Sequence, residues 1–309
     1  MKFAIFGAGG VGGYFGGRLA QAGQDVTFIA RGTHFAAIRE SGLRVESVSG
    51  DFTIHPASVT DSPQSLGVVN VVVLATKAWQ LSEALEQLRP LLGAETTILP
   101  LLNGMEHMDV LLAKFGREHL IGGFCRLSVF IAAPGHIKHV GVPPYIAFGE
   151  LDNSQSERIE SLHKVFSSLQ GVTAEVPADI TAAMWEKFIF ISGTSGIGAL
   201  TRQPVGEYRT NPESRKMLHD AMSETAAVAR ARGANISPTF VDETIQRIDN
   251  LPPQMLASMQ KDMMEGRPSE LNEQTGAVIR MGKAVGVPTP AHEKIYTELL
   301  PLEKKARRN

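Results

Sequence analysis

The chain has 309 residues, 43% of them hydrophobic, and a formal net charge of −2. At roughly 100–200 residues per domain this length suggests two domains, and the near-neutral balance excludes a global basic field for nucleic acid or an anionic membrane. One cysteine, Cys125, excludes an intrachain disulfide and fits a reducing compartment.

Residues 3–6 form a short apolar run that reads as a buried strand. It dissolves into glycines and Arg18, so it is too short for a signal peptide. Residues 11–22 read as a helix and 25–30 as the next strand. Continuous apolar runs at 68–75 and 96–102 suit strands buried on both faces, with a crossover helix at 80–92 between them. This alternation argues for a doubly wound, Rossmann-type parallel sheet. Runs at 121–132, 136–140 and 145–148, separated by Pro/Gly turns, are expected to extend that sheet in antiparallel fashion. Beyond about residue 178 the texture becomes helical, at 179–190, 212–232, 238–248 and 271–285, with Asp179 and Ser237-Pro238 as start signals. The expected plan is an α/β cofactor-binding domain over 1–177 and an all-α substrate or catalytic domain over 178–309. No stretch approaches the roughly 20 apolar residues of a membrane span, and a soluble, cytoplasmic protein is expected. The C-terminal run Lys304-Lys305-Ala306-Arg307-Arg308 reads as a solvated tail, and Cys125 beside Phe124 as a small buried hydrophobe.

The decisive local motif is Gly7-Ala8-Gly9-Gly10-Val11-Gly12, a G-x-G-x-x-G pattern. With 30 glycines in the chain the pattern alone is weak. Its context is strong, since it follows an apolar strand, opens a helix and precedes a second strand. Gly7 would permit the tight turn, Gly9 the approach of a pyrophosphate, and Gly12 close packing of helix on sheet. The second strand ends in Ile29-Ala30-Arg31-Gly32-Thr33, with no carboxylate to hold a ribose 2′-hydroxyl. Arg31 can instead pair with a 2′-phosphate, which points to NADP(H). Lys77 sits at the carboxyl edge of the next strand, where ligands of open α/β sheets bind.

With Arg31, the Thr76-Lys77-Ala78-Trp79-Gln80 segment, Asn103 in Leu102-Asn103-Gly104, Trp185-Glu186-Lys187-Phe188, and Ser258…Asp262…Gly266-Arg267-Pro268-Ser269-Glu270 in order, the chain resembles the 2-dehydropantoate 2-reductase (ketopantoate reductase) family over nearly its whole length. The resemblance implies a Rossmann domain followed by a helical one, a substrate cleft, and reduction of a 2-keto acid by NADPH in pantothenate biosynthesis. It implies Lys187 as general acid and Glu270 as the carboxylate that bonds the reacting substrate. Asn103 and Ser258 become polar cleft residues, with Asn103 and Glu270 also on the cofactor side beside Arg31 and Lys77. The chemistry wants such groups, because hydride addition to a ketone leaves a developing alkoxide that an ammonium stabilises and protonates.

One departure concerns substrate. The family carries Asn one and two helical turns after the lysine, where this chain has Ile191 and Ser195. Their loss implies weaker selection for a hydroxylated substrate or a different 2-keto acid, unless Ser192, Thr194 and Ser195 compensate through a helix bent at glycines 193, 196 and 198. Two other readings stay open: a β-hydroxyacid dehydrogenase-like oxidoreductase and a non-catalytic NADP-binding sensor. The expected partner is a small 2-keto acid, with no metal, nucleic acid or membrane. The oligomeric state is left open, a homodimer being one arrangement helical second domains adopt.

Overall fold

The computed structural model describes residues 1–308. The chain divides into two compact units, Met1–Leu102 with His107–Ile180, and Asn103–Glu106 with Thr181–Asn309. The four-residue segment 103–106 thus belongs with the second unit although it lies deep within the first in sequence.

In the first unit β1 (Lys2–Phe6), α1 (Gly10–Gln21), β2 (Asp25–Ile29), α2 (Gly32–Ser41), β3 (Leu43–Ser47), β4 (Phe52–Ile54), β5 (Ser58–Thr60), β6 (Val71–Leu74), α3 (Leu81–Leu88), β7 (Thr97–Pro100), α4 (Glu106–Phe115), β8 (Gly122–Ala133), β9 (His136–Gly149), α5 (Glu157–Ser167) and β10 (Thr173–Glu175) follow one another. One sheet is fully parallel in the order β5-β2-β1-β6-β7. Phe3, Ile5, Val72, Val73, Ile98 and Leu99 are wholly buried, as strands covered on both faces require. The crossover helix expected at 80–92 closes at Leu88, and a 3₁₀ turn with Pro90 follows.

The runs at 121–148 do not extend this sheet. They build a second one, ordered β10-β9-β3-β4, with β8 antiparallel to β9. The segments expected separately at 136–140 and 145–148 are a single strand, β9. The cause is a pair of strands that the sequence did not announce: β3 lies parallel to β9, and β4 antiparallel to β3, so β9 finds partners away from β7.

Helix α1 is held between the two sheets, which explains its glycines beyond the motif. A Cβ at Gly16 would lie 2.6 Å from Ile5 and 2.7 Å from Phe28 of the parallel sheet; one at Gly17 would lie 2.7 Å from Phe52 of the other. Four-residue spacing of small residues on both faces lets two sheets approach one helix. Arg18 in this helix is 1% exposed. Its guanidinium lies 4.2 Å from the centre of the Phe52 ring and donates to the carbonyls of Ser49 and Gly50, so it is structural.

The second unit is helical: α6 (Ile180–Thr201), α7 (Val205–Tyr208), α8 (Pro212–Ala231), α9 (Phe240–Asp249), α10 (Ser258–Met264), α11 (Thr275–Val285) and α12 (Pro290–Ala306). The helix expected to end at 190 runs on as α6 through Gly193, Gly196 and Gly198 to Thr201. These glycines serve close packing: Cβ atoms there would meet Met222 of α8 at 2.7 Å, Ile295 of α12 at 3.3 Å and Gln260 of α10 at 2.4 Å. α6 is therefore the helix around which α8, α10 and α12 assemble. The helix expected from 271 begins instead at Thr275. The preceding turn is pinned where the backbone N–H and hydroxyl of Ser269 donate to Glu303 of α12, at 3.1 and 2.5 Å. Among the described residues no helix is long and apolar enough to cross a membrane.

Candidate active site

Two sets of residues are candidates for carrying chemistry, one in each unit. In the first, a groove opens at the carboxyl ends of β1, β2 and β6. Gly7, Ala8, Gly9, Ile29, Ala30, Arg31, His34, Thr76, Gln80 and Glu83 are among the residues that line it. Gly7 takes φ +98°, a conformation that L side chains avoid. A Cβ at Gly12 would lie 2.1 Å from the Gly7 carbonyl oxygen, so only glycine lets α1 start so near the turn. Gly9 faces open space, with no atom within 4 Å of where its Cβ would be.

The first hydrogen bond of α1 runs from Gly13 N to Gly9 O, 2.7 Å. The N–H groups of Gly10, Val11 and Gly12 therefore have no acceptor within the helix, and neither a side-chain cap nor an acid occupies its first turn. The start of α2 behind Arg31 is equally uncapped and free of acids. Thr76 Oγ1 in the groove wall is buried and without a partner. Two bare helix N-termini, a glycine facing open space and an orphaned hydroxyl fit a dinucleotide with its phosphates.

His34 is a residue that the sequence did not single out. Its Nδ1 accepts from Gly135 N at 3.0 Å and its Nε2 donates to the Ala8 carbonyl at 2.8 Å, tying the glycine turn to the β8–β9 hairpin. Those partners require the neutral Nε2–H tautomer, and burial holds its pKa below the ordinary value. Arg31 donates to Glu83 Oε1 at 2.5 Å and Gln87 Oε1 at 3.0 Å, both on α3. Lys77 is exposed just beyond Thr76, where its backbone N–H donates to Gln80 Oε1.

In the second unit Lys187 of α6, half-buried, donates from Nζ to Asn103 Oδ1 at 2.9 Å. Asn103 Nδ2 donates to Glu270 Oε2 at 3.0 Å. The two partners fix the orientation of the amide, because the ammonium needs an acceptor and the carboxylate a donor. Glu270 is 3% exposed, and its Oε2 also accepts from Gln274 Nε2 at 3.3 Å. Gln274 was not anticipated, although it stands four residues after Glu270. Its other atom, Oε1, is buried without a partner, as are Thr275 Oγ1 and Glu273 Oε2. Burial raises the pKa of Glu273. Gly104, at φ +96°, packs its Cα side against the Glu273 carbonyl, where a Cβ would come within 2.6 Å. That contact seats the 103–106 segment on the α11 turn.

Ile191 is half-buried one turn after Lys187, and Ser195, 3% exposed, stands two turns after it. Ser192 and Thr194 do not compensate for the missing amides. Ser192 Oγ donates to Ile189 O and meets Thr225 Oγ1 at 3.0 Å, and Thr194 Oγ1 donates to Phe190 O at 2.7 Å. Both hydroxyls are spent inside the helical core. Ser258 opens α10 as an exposed residue, outside the Lys187–Asn103–Glu270 chain. Cys125 is buried in the first unit's core. Among the described residues no cluster of three or more His, Cys, Asp or Glu side chains is placed to hold a metal.

Residues 3–153 match the family described as "Ketopantoate reductase PanE/ApbA", and residues 179–303 match "Ketopantoate reductase PanE/ApbA C terminal". The chain is 33% identical to the uncharacterized oxidoreductase YkpB of Bacillus subtilis, across 97% of this chain and 98% of that one. It is 30% identical to a 2-dehydropantoate 2-reductase of Mesorhizobium japonicum, across 96% and 95% of the two chains. The crystal structure of a 2-dehydropantoate 2-reductase from Geobacter metallireducens superposes with a TM-score of 0.89 at 33% identity, covering 97% of this chain and 99% of that one.

Proposed function

From a chain that belongs to the ketopantoate reductase family, and is thereby an oxidoreductase acting on a CH–OH group with a nicotinamide cofactor, we propose a narrower activity: reduction of 2-dehydropantoate, or a closely related 2-keto acid, by NADPH, with Lys187 as the general acid. The observation that carries this reading is the hydrogen-bonded chain from Lys187 through Asn103 to Glu270. When bound, the nicotinamide supplies the hydride that reaches the C2 carbonyl carbon. The residues of the chain handle the charge and the proton. Lys187 Nζ is held by Asn103 with its N–H bonds directed, and donates a proton to the carbonyl oxygen as that oxygen becomes an alkoxide. Glu270 supplies an anion two hydrogen bonds away, which balances the half-buried ammonium before substrate arrives. Gln274 and Asn103 together fix the Glu270 carboxylate, which leaves it oriented to accept from the substrate hydroxyl in the reverse direction.

Selection of NADPH rests on Arg31 and on the uncapped start of α2 beside it. In this division of labour the first unit holds the cofactor and the second the groups that face substrate. With 2-dehydropantoate as substrate, the 2-hydroxy acid product would serve pantothenate synthesis. The test is NADPH oxidation against a panel of 2-keto acids. The expected result is turnover with the highest kcat/KM on 2-dehydropantoate or a branched relative. Absence of turnover with every acid in the panel would overturn the 2-keto acid reading.

A further inference from the structure

The end of β2 carries no acid, yet the groove is not free of one. Sheet order places β2 and β6 on either side of β1, so the start of α2 and the first turn of α3 border the same groove. Glu83 stands in that first turn and lines the groove with Arg31. Its carboxylate holds Arg31 NH1 at 2.5 Å while Gln87, one turn further along α3, holds NH2 at 3.0 Å. Both ends of the guanidinium fork are therefore engaged by α3. The two charged side chains keep 52% and 58% of their surface in solvent.

We propose that Glu83 is a cofactor-discriminating residue: it latches Arg31 across the groove and lowers the preference for a ribose 2′-phosphate over a 2′-hydroxyl. A phosphate must displace Glu83 from Arg31 and then remain close to a carboxylate of like charge. A 2′-hydroxyl meets no such conflict, because it can donate to Glu83 while the latch stays closed, as hydroxyls do to the strand-end acid of NAD-binding folds. The exposed pair is weak, of the order that surface ion pairs have, so it opens readily. The expected outcome is a groove that takes NADPH with a modest margin over NADH. This inference rests on the reading that Arg31 meets the 2′ position.

The test measures dissociation constants of NADPH and NADH by nucleotide fluorescence for the parent, Glu83→Gln, Arg31→Ala and the double variant, with thermal unfolding as a folding control. Glu83→Gln should raise the NADPH-to-NADH affinity ratio about three- to tenfold, the scale of one exposed charge pair. The gain should shrink in the Arg31→Ala background. An unchanged or lowered ratio in folded Glu83→Gln overturns the latch, and so does a gain undiminished without Arg31. If Arg31→Ala itself leaves the ratio unchanged, the NADPH reading fails; if it lowers the ratio while Glu83→Gln does not raise it, only the latch fails.

Discussion

The glycine-turn groove and the Lys187–Asn103–Glu270 chain are built from opposite materials. The groove is mostly backbone and absence: a left-handed Gly7, a missing Cβ at Gly12, helix starts without caps. The chain in the helical unit is made of side chains that satisfy one another, each with a partner at 2.9–3.3 Å. Where backbone packs as closely as at Gly7 and Gly12 an added atom is not tolerated, whereas a site made of side chains fails by loss of a single donor or acceptor. The first kind leaves a compact sequence pattern. The second gathers residues 103, 187, 270 and 274 from far apart in the chain.

Among the side chains of the helical unit, Lys187→Ala removes the most consequential group. General acid catalysis is worth about 10²–10⁴-fold, so kcat should fall by that factor while NADPH affinity, measured by fluorescence titration, stays put. Near-parental turnover in a folded variant would remove Lys187 from the mechanism. Gly12→Ala tests the other material. Its Cβ would meet the Gly7 carbonyl at 2.1 Å, and forced overpacking costs on the order of 3 kcal/mol. The expected result is a lower Tm of unfolding and loss of dinucleotide binding; a variant that binds normally would mean α1 shifts at no cost.

Arg31→Ala should weaken NADPH about tenfold or more, through loss of one charge-assisted contact, with NADH affinity little changed. Equal losses for both nucleotides would assign Arg31 to structure. The double variant Ile191→Asn, Ser195→Asn sharpens the substrate side. Amides restored beside Lys187 should raise the kcat/KM preference for 2-dehydropantoate over 2-ketoisovalerate by about tenfold, roughly 1.4 kcal/mol. A constant ratio would mean that these positions do not touch substrate.

The smallest expected effect concerns pH. Burial lowers the pKa of His34 in the folded protein, so the unfolded chain binds a proton first as pH falls. Stability from the neutral imidazole is complete above the ordinary His pKa of about 6.5 and is lost as pH drops from there through the lower folded value. Urea unfolding of the first unit should show a shallower loss between pH 7 and pH 5 in His34→Gln than in the parent. A parallel loss in both proteins would dissociate His34 from the effect.

Much of the architecture is legible in the sequence, because strands buried on both faces must be continuously apolar and helices must be periodic. The runs around Val71–Leu74 and Thr97–Pro100 and the helices α8 and α9 are of this kind. Short, half-exposed elements such as β3, β4 and β5 lack that signal, since only three or five residues alternate and their partners are remote. The second sheet stayed hidden for the same reason. The glycines of α6 left the sequence reading open because a glycine in a helix signals bending and close packing alike, and the close packing shows only in the neighbouring Met222, Ile295 and Gln260.

By itself the sequence determined the glycine turn at 7–12, the two-part plan and, through the order of its motifs, the family. Those features are local or periodic, and chain geometry dictates them. Tertiary structure alone decided what each polar group faces. It set Glu83 against Arg31, spent Ser192 and Thr194 in the core, left Ser258 exposed, and joined Gln274 to Glu270 and Asn103 to Lys187. A hydrogen bond acts only over about 3 Å, and no spacing along the chain specifies which distant atoms folding will bring within that reach.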